Sequence, residues 1–437
     1  MNFFPGKYSI LAVTVAALLM VAVLGGRGET TGRGDAWPPE YLVNRIAVVS
    51  ADGQVSTMRR DGSGERPVSD GSGFFTWPTW SPDGRSVAYS GVVENADGEL
   101  VTTLFLHESN SGASRILYES APGFAGLLAE GVVHYPLWSP DGNRIAFIAA
   151  TQERGLTLFL EDVRDSEDPV YLLDRGPLWM SWSSDSSKLA VHRAESHFVI
   201  TAHGTTTVSP TALRSRAYRV PAWVPGVDEF NFVRGISGPY FAISSVAPSN
   251  AGSERLLAEV GANAAFLWSD DGSHLAVTDE VRPVLYGNTV LFVYRQLRVL
   301  DAEAFEAESQ LNENVVAFFW SPDSSKIAYA ILSDPSGGME WKLLDIASNT
   351  ISPLVEFRPS SDQLTMFQFF DQYAYSHQLW SPDSRYLIFA GALNDVAVAA
   401  GYAAQPTGGS RIFIVDTGPM HTVQPLAEGV LGFWSPA

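Results

Sequence analysis

Residues 138–148 read Trp138-Ser139-Pro140-Asp141-Gly142-Asn143-Arg144-Ile145-Ala146-Phe147-Ile148, a tryptophan, then a tight-turn signal, then a short apolar run. Each part has a physical reading. Pro presets the torsion wanted at the second position of a turn, Asp bonds back to nearby amides, and Gly accepts the left-handed conformation at the end. The apolar run that follows fits a strand buried between neighbouring layers. The same word begins at Trp80, Trp182, Trp268, Trp320 and Trp380, with Asp83, Asp185, Asp271, Asp323 and Asp383 matching Asp141, and a truncated copy begins at Trp434. A worn copy, Trp223-Val224-Pro225-Gly226, fills the one wide gap.

Successive tryptophans are 58, 44, 41, 45, 52, 60 and 54 residues apart. That spacing suits a four-stranded propeller blade with insertions, a unit that cannot bury a core alone and must stack. Second strands are expected at Ser86-Val87-Ala88-Tyr89-Ser90 and Lys326-Ile327-Ala328-Tyr329-Ala330, and third strands at Thr157-Leu158-Phe159-Leu160 and Arg411-Ile412-Phe413-Ile414-Val415-Asp416. The two chain ends complete each other. Arg45-Ile46-Ala47-Val48-Val49 opens a blade lacking its innermost strand, and residues 429–434 are an innermost strand without a blade. Joining them removes the exposed edges of a linear array. The expectation is an all-β, eight-bladed β-propeller over residues 45–437, closed by N- and C-terminal strands, with seven blades as the alternative if Trp223 is left out. Ser186, Ser324 and Ser384 stand where the turn wants Gly, at a cost of about 1 kcal/mol each.

The words Trp138 to Phe147 and Arg411 to Asp416 resemble the WD40-like repeat of the TolB family. The resemblance covers residues 45–437 and implies the propeller fold. It implies little about activity, because such propellers serve as periplasmic scaffolds, sensor ectodomains and gating domains of oligopeptidase-like hydrolases. TolB carries an α/β domain ahead of its propeller, and only 44 residues precede this one.

The N-terminus points to export. Residues 10–24 are apolar apart from Thr14, with Lys7 before them and Gly25-Gly26-Arg27 after, which reads as a signal sequence or membrane anchor over residues 1–26. Residues 8–26 are 19 in number, enough to span a bilayer if uncleaved. Residues 27–44, with Pro38-Pro39 and several glycines, read as a flexible linker. The formal net charge of -20 argues against nucleic acid, and the absence of cysteine excludes disulfides, thiolate metal sites and a cysteine nucleophile.

Catalytic and metal motifs are weak. No Gly-x-Ser-x-Gly word occurs, so a serine hydrolase of the usual kind is not expected. His192, His197 and His203 form the one histidine cluster, read as a surface grouping rather than a zinc site. Glu94, Asn95, Asp97 and Glu99 place oxygens along one loop, read as a solvated acidic hairpin rather than a calcium loop. The repeated aspartates are expected to cap their turns. No cofactor, catalytic residue or metal ligand is assigned.

The expected function is recognition. In a four-stranded meander the turn words lie on one face of the ring, and the long insertions 91–101, 120–133, 278–289, 358–375 and 394–409 lie on the other. Met366, Phe367, Phe369, Phe370, Tyr373 and Tyr375 crowd one insertion and are the expected contact for an exported protein or peptide. The alternative for these rings is a plug folded into the channel. A second expectation is a small-ligand or glycan site in the channel, enzymatic or not, near His134, Tyr135, His377 and Gln378. A third is the sensing or scaffolding ectodomain of a membrane complex.

Overall fold

The structure, a computed structural model, describes residues 44–164, 168–202, 208–214, 219–237, 240–287, 289–334, 338–393 and 409–436. The expected signal or anchor segment, its linker up to residue 43, and most of the insertion 394–409 lie outside the described residues. Among the described residues no helix is long and apolar enough to cross a membrane.

The chain is almost entirely β. Consecutive strands fold back on one another in antiparallel meanders, beginning with Gly73–Trp80, Ser86–Glu94, Leu100–Glu108 and Ala113–Glu119. The next is His134–Trp138, Arg144–Thr151, Gly155–Asp162 and Val170–Leu173. Two more four-stranded sheets start at Leu178–Trp182 and at Ala222–Trp223, so the worn word does open a meander. Residues 265–428 then form one 11-stranded sheet. Its meanders are linked at their edges by Tyr294 opposite Val315 and by residues 357–359 opposite 391–393. Trp380 contributes only an isolated bridge to Leu387.

A further four-stranded sheet joins the chain ends. Leu431–Trp434 pairs with Arg45–Val49, setting Ala47 opposite Phe433 and Val48 opposite Gly432. Beyond the strand, the Arg45 N–H donates to Ser435 Oγ at 3.0 Å and the Ser435 N–H to the Arg45 carbonyl at 2.8 Å. Gly432 is required here by space alone. A Cβ at that position would stand 2.8 Å from Ile388 Cδ1 and 2.9 Å from Ile412 Cγ2 of the neighbouring meander.

The turn word works as a small hydrogen-bonded machine. Ser139 Oγ donates to Asp141 Oδ1 at 2.6 Å, the Asn143 N–H donates to the same oxygen at 3.1 Å, and the Arg144 N–H donates to Ser139 Oγ at 3.0 Å. The pattern recurs around Asp83, Asp185, Asp271, Asp323 and Asp383. Ser186, Ser324 and Ser384 do take the left-handed conformation, at φ of 61, 59 and 55°. Their hydroxyls offset the strain by reaching the preceding repeat. The N–H groups of Asp141, Asp271 and Asp323 donate to them at 2.9, 3.1 and 2.9 Å.

Replacing Ser324 by Ala keeps the strained backbone and removes the bond between repeats, so a loss of about 1–2 kcal/mol is expected in urea unfolding. Ser324→Gly removes both the bond and the strain, and its loss should be the smaller by about 1 kcal/mol.

Candidate functional site

The insertion before Trp380 is neither a loop nor a surface patch. Ser360 caps a helix, α1 (Ser361–Gln368), accepting the Gln363 N–H at 3.0 Å, and a single turn, α2 (Phe370–Tyr373), follows. Met366, Phe367, Phe370 and Tyr373 are all buried. Phe370 packs on Phe318 with ring centroids 5.0 Å apart, Phe367 meets the Trp341 ring edge at 5.5 Å, and Tyr373 stacks on Trp77 at 4.6 Å. Tyr135, at 5.4 Å from the Tyr373 ring, donates its hydroxyl to the Gln372 carbonyl at 2.8 Å. These partners come from the strands Gly73–Trp80, His134–Trp138, Val315–Trp320 and Gly338–Asp345, so the insertion packs across the middle of the molecule.

This corrects the expected contact surface. Four of the six side chains are withdrawn because burying each one gains apolar transfer energy, and the three rings among them add aromatic contacts of about 0.5–1.5 kcal/mol per pair. Phe369 and Tyr375 stay reachable, 41% and 38% exposed. They line different cavities. Phe369 borders an apolar cleft of about 200 Å³ with Leu128, Ile148, Leu156 and Trp179, whereas Tyr375 lines a depression among the turn-word tryptophans.

Electrostatics lock the plug. Asp371 and Arg219 are buried with Nη1 3.7 Å from Oδ2, and Arg219 Nη2 also donates to the Tyr294 hydroxyl at 2.6 Å and the Asn263 carbonyl at 2.7 Å. Burial raises the Asp371 carboxyl and Arg219 opposes the rise. Trp77 holds a positive φ of 50°, uncommon for so bulky a residue, and its indole N–H donates to the Gly131 carbonyl at 2.8 Å.

The histidines beside the turn words have structural neighbours. His134 lies within 3.3 Å of Ser90 Oγ and packs on Tyr118, while His377 lies 2.6 Å from Ser376 Oγ and packs on Phe433. Burial holds each down at about 3. His192 and His197 stack at 4.4 Å, and His203 lies outside the described residues. No group of three or more potential metal ligands occurs among the described residues. Asn95 Oδ1 accepts the Asp97 and Glu99 N–H groups at 3.0 and 2.9 Å, so this oxygen serves the hairpin turn.

One surface was missed by the sequence reading. Residues 278–289, expected as a loop, belong to a long hairpin of His274–Tyr286 and Thr289–Asp301. Leu291 and Val293 face inward, while Leu285, Val290 and Phe292 are 70%, 53% and 45% exposed on the outer side. Leu285 pairs with Val290 and exposed Pro283 with Phe292, so they form one apolar patch. Gln368 Nε2 reaches the Val290 carbonyl at 3.4 Å, which sets the hairpin beside the helical insertion.

No protein-family model matches the chain, and no curated protein does. Among solved structures it is similar to a eukaryotic initiation factor, with a TM-score of 0.55 and 14% identity over 90% of this chain and 98% of that one. It is similar to the dihydro-heme d1 dehydrogenase NirN in complex with DHE, with a TM-score of 0.53 and 13% identity over 93% and 78% of the two chains. TolB from Acinetobacter baumannii is similar at a TM-score of 0.42 and 15% identity, over 90% and 67%. At such identities a likeness speaks of fold alone. With the repeated meanders, the fold is of the β-propeller type.

Removing one partner of the buried pair should release the plug. Arg219→Met is expected to cost about 3–5 kcal/mol and to make residues 361–376 cleavable in limited proteolysis. Acid should weaken the fold through the histidines. Their folded values lie below the unfolded 6.5, so the stability they contribute is complete above that value and is lost as pH falls from about 6.5 towards 3. His377→Gln should flatten a plot of unfolding free energy against pH in that window.

Proposed function

We propose that the chain is an exported recognition module without catalytic activity. Eight meanders form one ring sealed by the pairing of Leu431–Trp434 with Arg45–Val49, and residues 8–26, if uncleaved, tether it to a membrane. The eight-fold count rests on the sheets opened at Trp80, Trp138, Trp182, Trp223, Trp268, Trp320 and Trp380 and the one completed by Trp434.

The ring takes a polypeptide partner on its insertion-bearing face. The observation that carries this reading is the patch of Pro283, Leu285, Val290 and Phe292, apolar side chains held in water on a hairpin whose other side is packed. Phe369 and the 200 Å³ cleft beside it extend the surface and accept one apolar side chain. Exposed Arg282 and Arg295 on the hairpin, and Arg358 near Tyr286, favour carboxylates on the partner in spite of the chain's net charge of -20.

The test is affinity capture of the full-length protein from its own membranes, comparing wild type with Leu285→Glu and Phe292→Glu. A partner lost about tenfold from both variants, with unchanged melting temperatures, supports the reading. Equal capture by all three proteins overturns it.

A further inference from the structure

We infer that the turn-word face carries a binding site for an organic cation, a protonated amine or guanidinium on an apolar body, centred on the Asp270 carboxylate. The site is separate from the polypeptide-binding patch and does not depend on it.

The third place of the turn word is Pro82, Pro140, Ser184, Pro225, Pro322 or Pro382 in the other repeats, and Asp270 alone brings a charge there. Two cavities meet at this residue. One of about 400 Å³ is bordered by Pro140, Trp182, Trp223 and Pro225, and one of about 60 Å³ by Phe319 and Trp380. Both also include Trp268, Asp270 and Tyr375, so they are neighbouring parts of one bowl. The helical insertion closes the bowl from behind, with Tyr375 and Ala374 on its floor.

Asp270 is exposed to the space of the bowl, and no hydrogen bond or ion pair reaches its carboxylate among the described residues. Asp271, next to it, accepts three hydrogen bonds on Oδ1 from Ser269 and Ser273. No lysine or arginine lines either cavity. The other titratable groups at the bowl are Tyr375, whose hydroxyl is raised by burial and further by Asp371, Tyr135 and Asp270, and His377, held neutral by burial. The setting of the bowl, with Asp271 adding to it, pushes the Asp270 carboxyl up to about 6. An anion is thus kept, without a partner, where six of the other repeats place an uncharged residue. An apolar pocket with one convergent charge selects an opposite charge on an apolar body.

Benzylamine is the probe, with benzyl alcohol as its neutral counterpart, and tryptophan fluorescence of the full chain is the readout. At about pH 8 benzylamine should bind saturably and benzyl alcohol at least about tenfold more weakly. Asp270→Asn should reduce benzylamine affinity by about tenfold or more, and Asp270→Glu should restore part of it. Wild-type affinity should fall as pH drops through about 6, while the Asn variant shows no such step. A peptide with one lysine, run against benzylamine, tells a side-chain ligand from a free amine.

Stability gives a second readout. The folded carboxyl lies above its ordinary value of 3.8, so ionisation weakens the fold as pH rises through about 6. Asp270→Asn should therefore melt higher than wild type at about pH 8 and no higher below about pH 4. Equal benzylamine binding by wild type and Asp270→Asn, or no binding by a wild type whose melting follows this pattern, overturns the inference.

Discussion

Six tryptophans of the repeated words donate the same kind of hydrogen bond, and the assembly of the meanders depends on it. The indole N–H of Trp138 reaches the Thr79 carbonyl at 3.4 Å, that of Trp182 the Leu137 carbonyl at 3.2 Å, and that of Trp223 the Ser181 carbonyl at 2.9 Å. Trp320 and Trp380 do the same to Leu267 and Phe319. In each case the acceptor precedes the tryptophan of the repeat before. Trp80 reaches the Phe433 carbonyl at 3.3 Å, across 353 positions of sequence. A buried indole needs an acceptor, and here the need is met by the neighbouring meander. Each repeat therefore specifies the position of the one before it.

The departures from this pattern have local causes. In the worn repeat the Asn231 side chain takes the Trp268 indole N–H at 2.6 Å in place of a backbone carbonyl. The buried Trp434 indole finds no acceptor among the described residues, and its repeat is anchored by strand pairing to Arg45–Val49. The serines in the place of glycine are a related device. A left-handed Ser is strained, yet its hydroxyl spans to the turn of the preceding repeat, something glycine lacks.

The helical insertion is governed by a different balance. Its aromatic side chains pack against rings from several separate strands. Its cost is the burial of Asp371, met by Arg219, and the strained Trp77 backbone, met by stacking with Tyr373. Beside the insertion a hairpin keeps apolar side chains in water, and cavities among the turn-word tryptophans include the Asp270 carboxylate.

Much of this was legible in the residues themselves. The tryptophan words, their turns and the strands after them carry short-range information, which is why the meanders, the capping aspartates and the meeting of the chain ends follow from spacing. The plug was legible in part. Met366, Phe367, Phe370 and Tyr373 recur at helical spacing behind a Ser360 cap, but Phe369 shares that spacing and aromatic density in an insertion reads equally as a contact surface. The hairpin tip is an unbroken apolar run, Val290-Leu291-Phe292-Val293, so the sequence does not mark which side stays in water. Sequence alone determined the repeat and its period, because those are properties of neighbouring residues. Only tertiary structure decided which aromatics were buried, which hairpin face stayed in water and that Asp270 met no cation, because each depends on strands that are distant in sequence and adjacent in space.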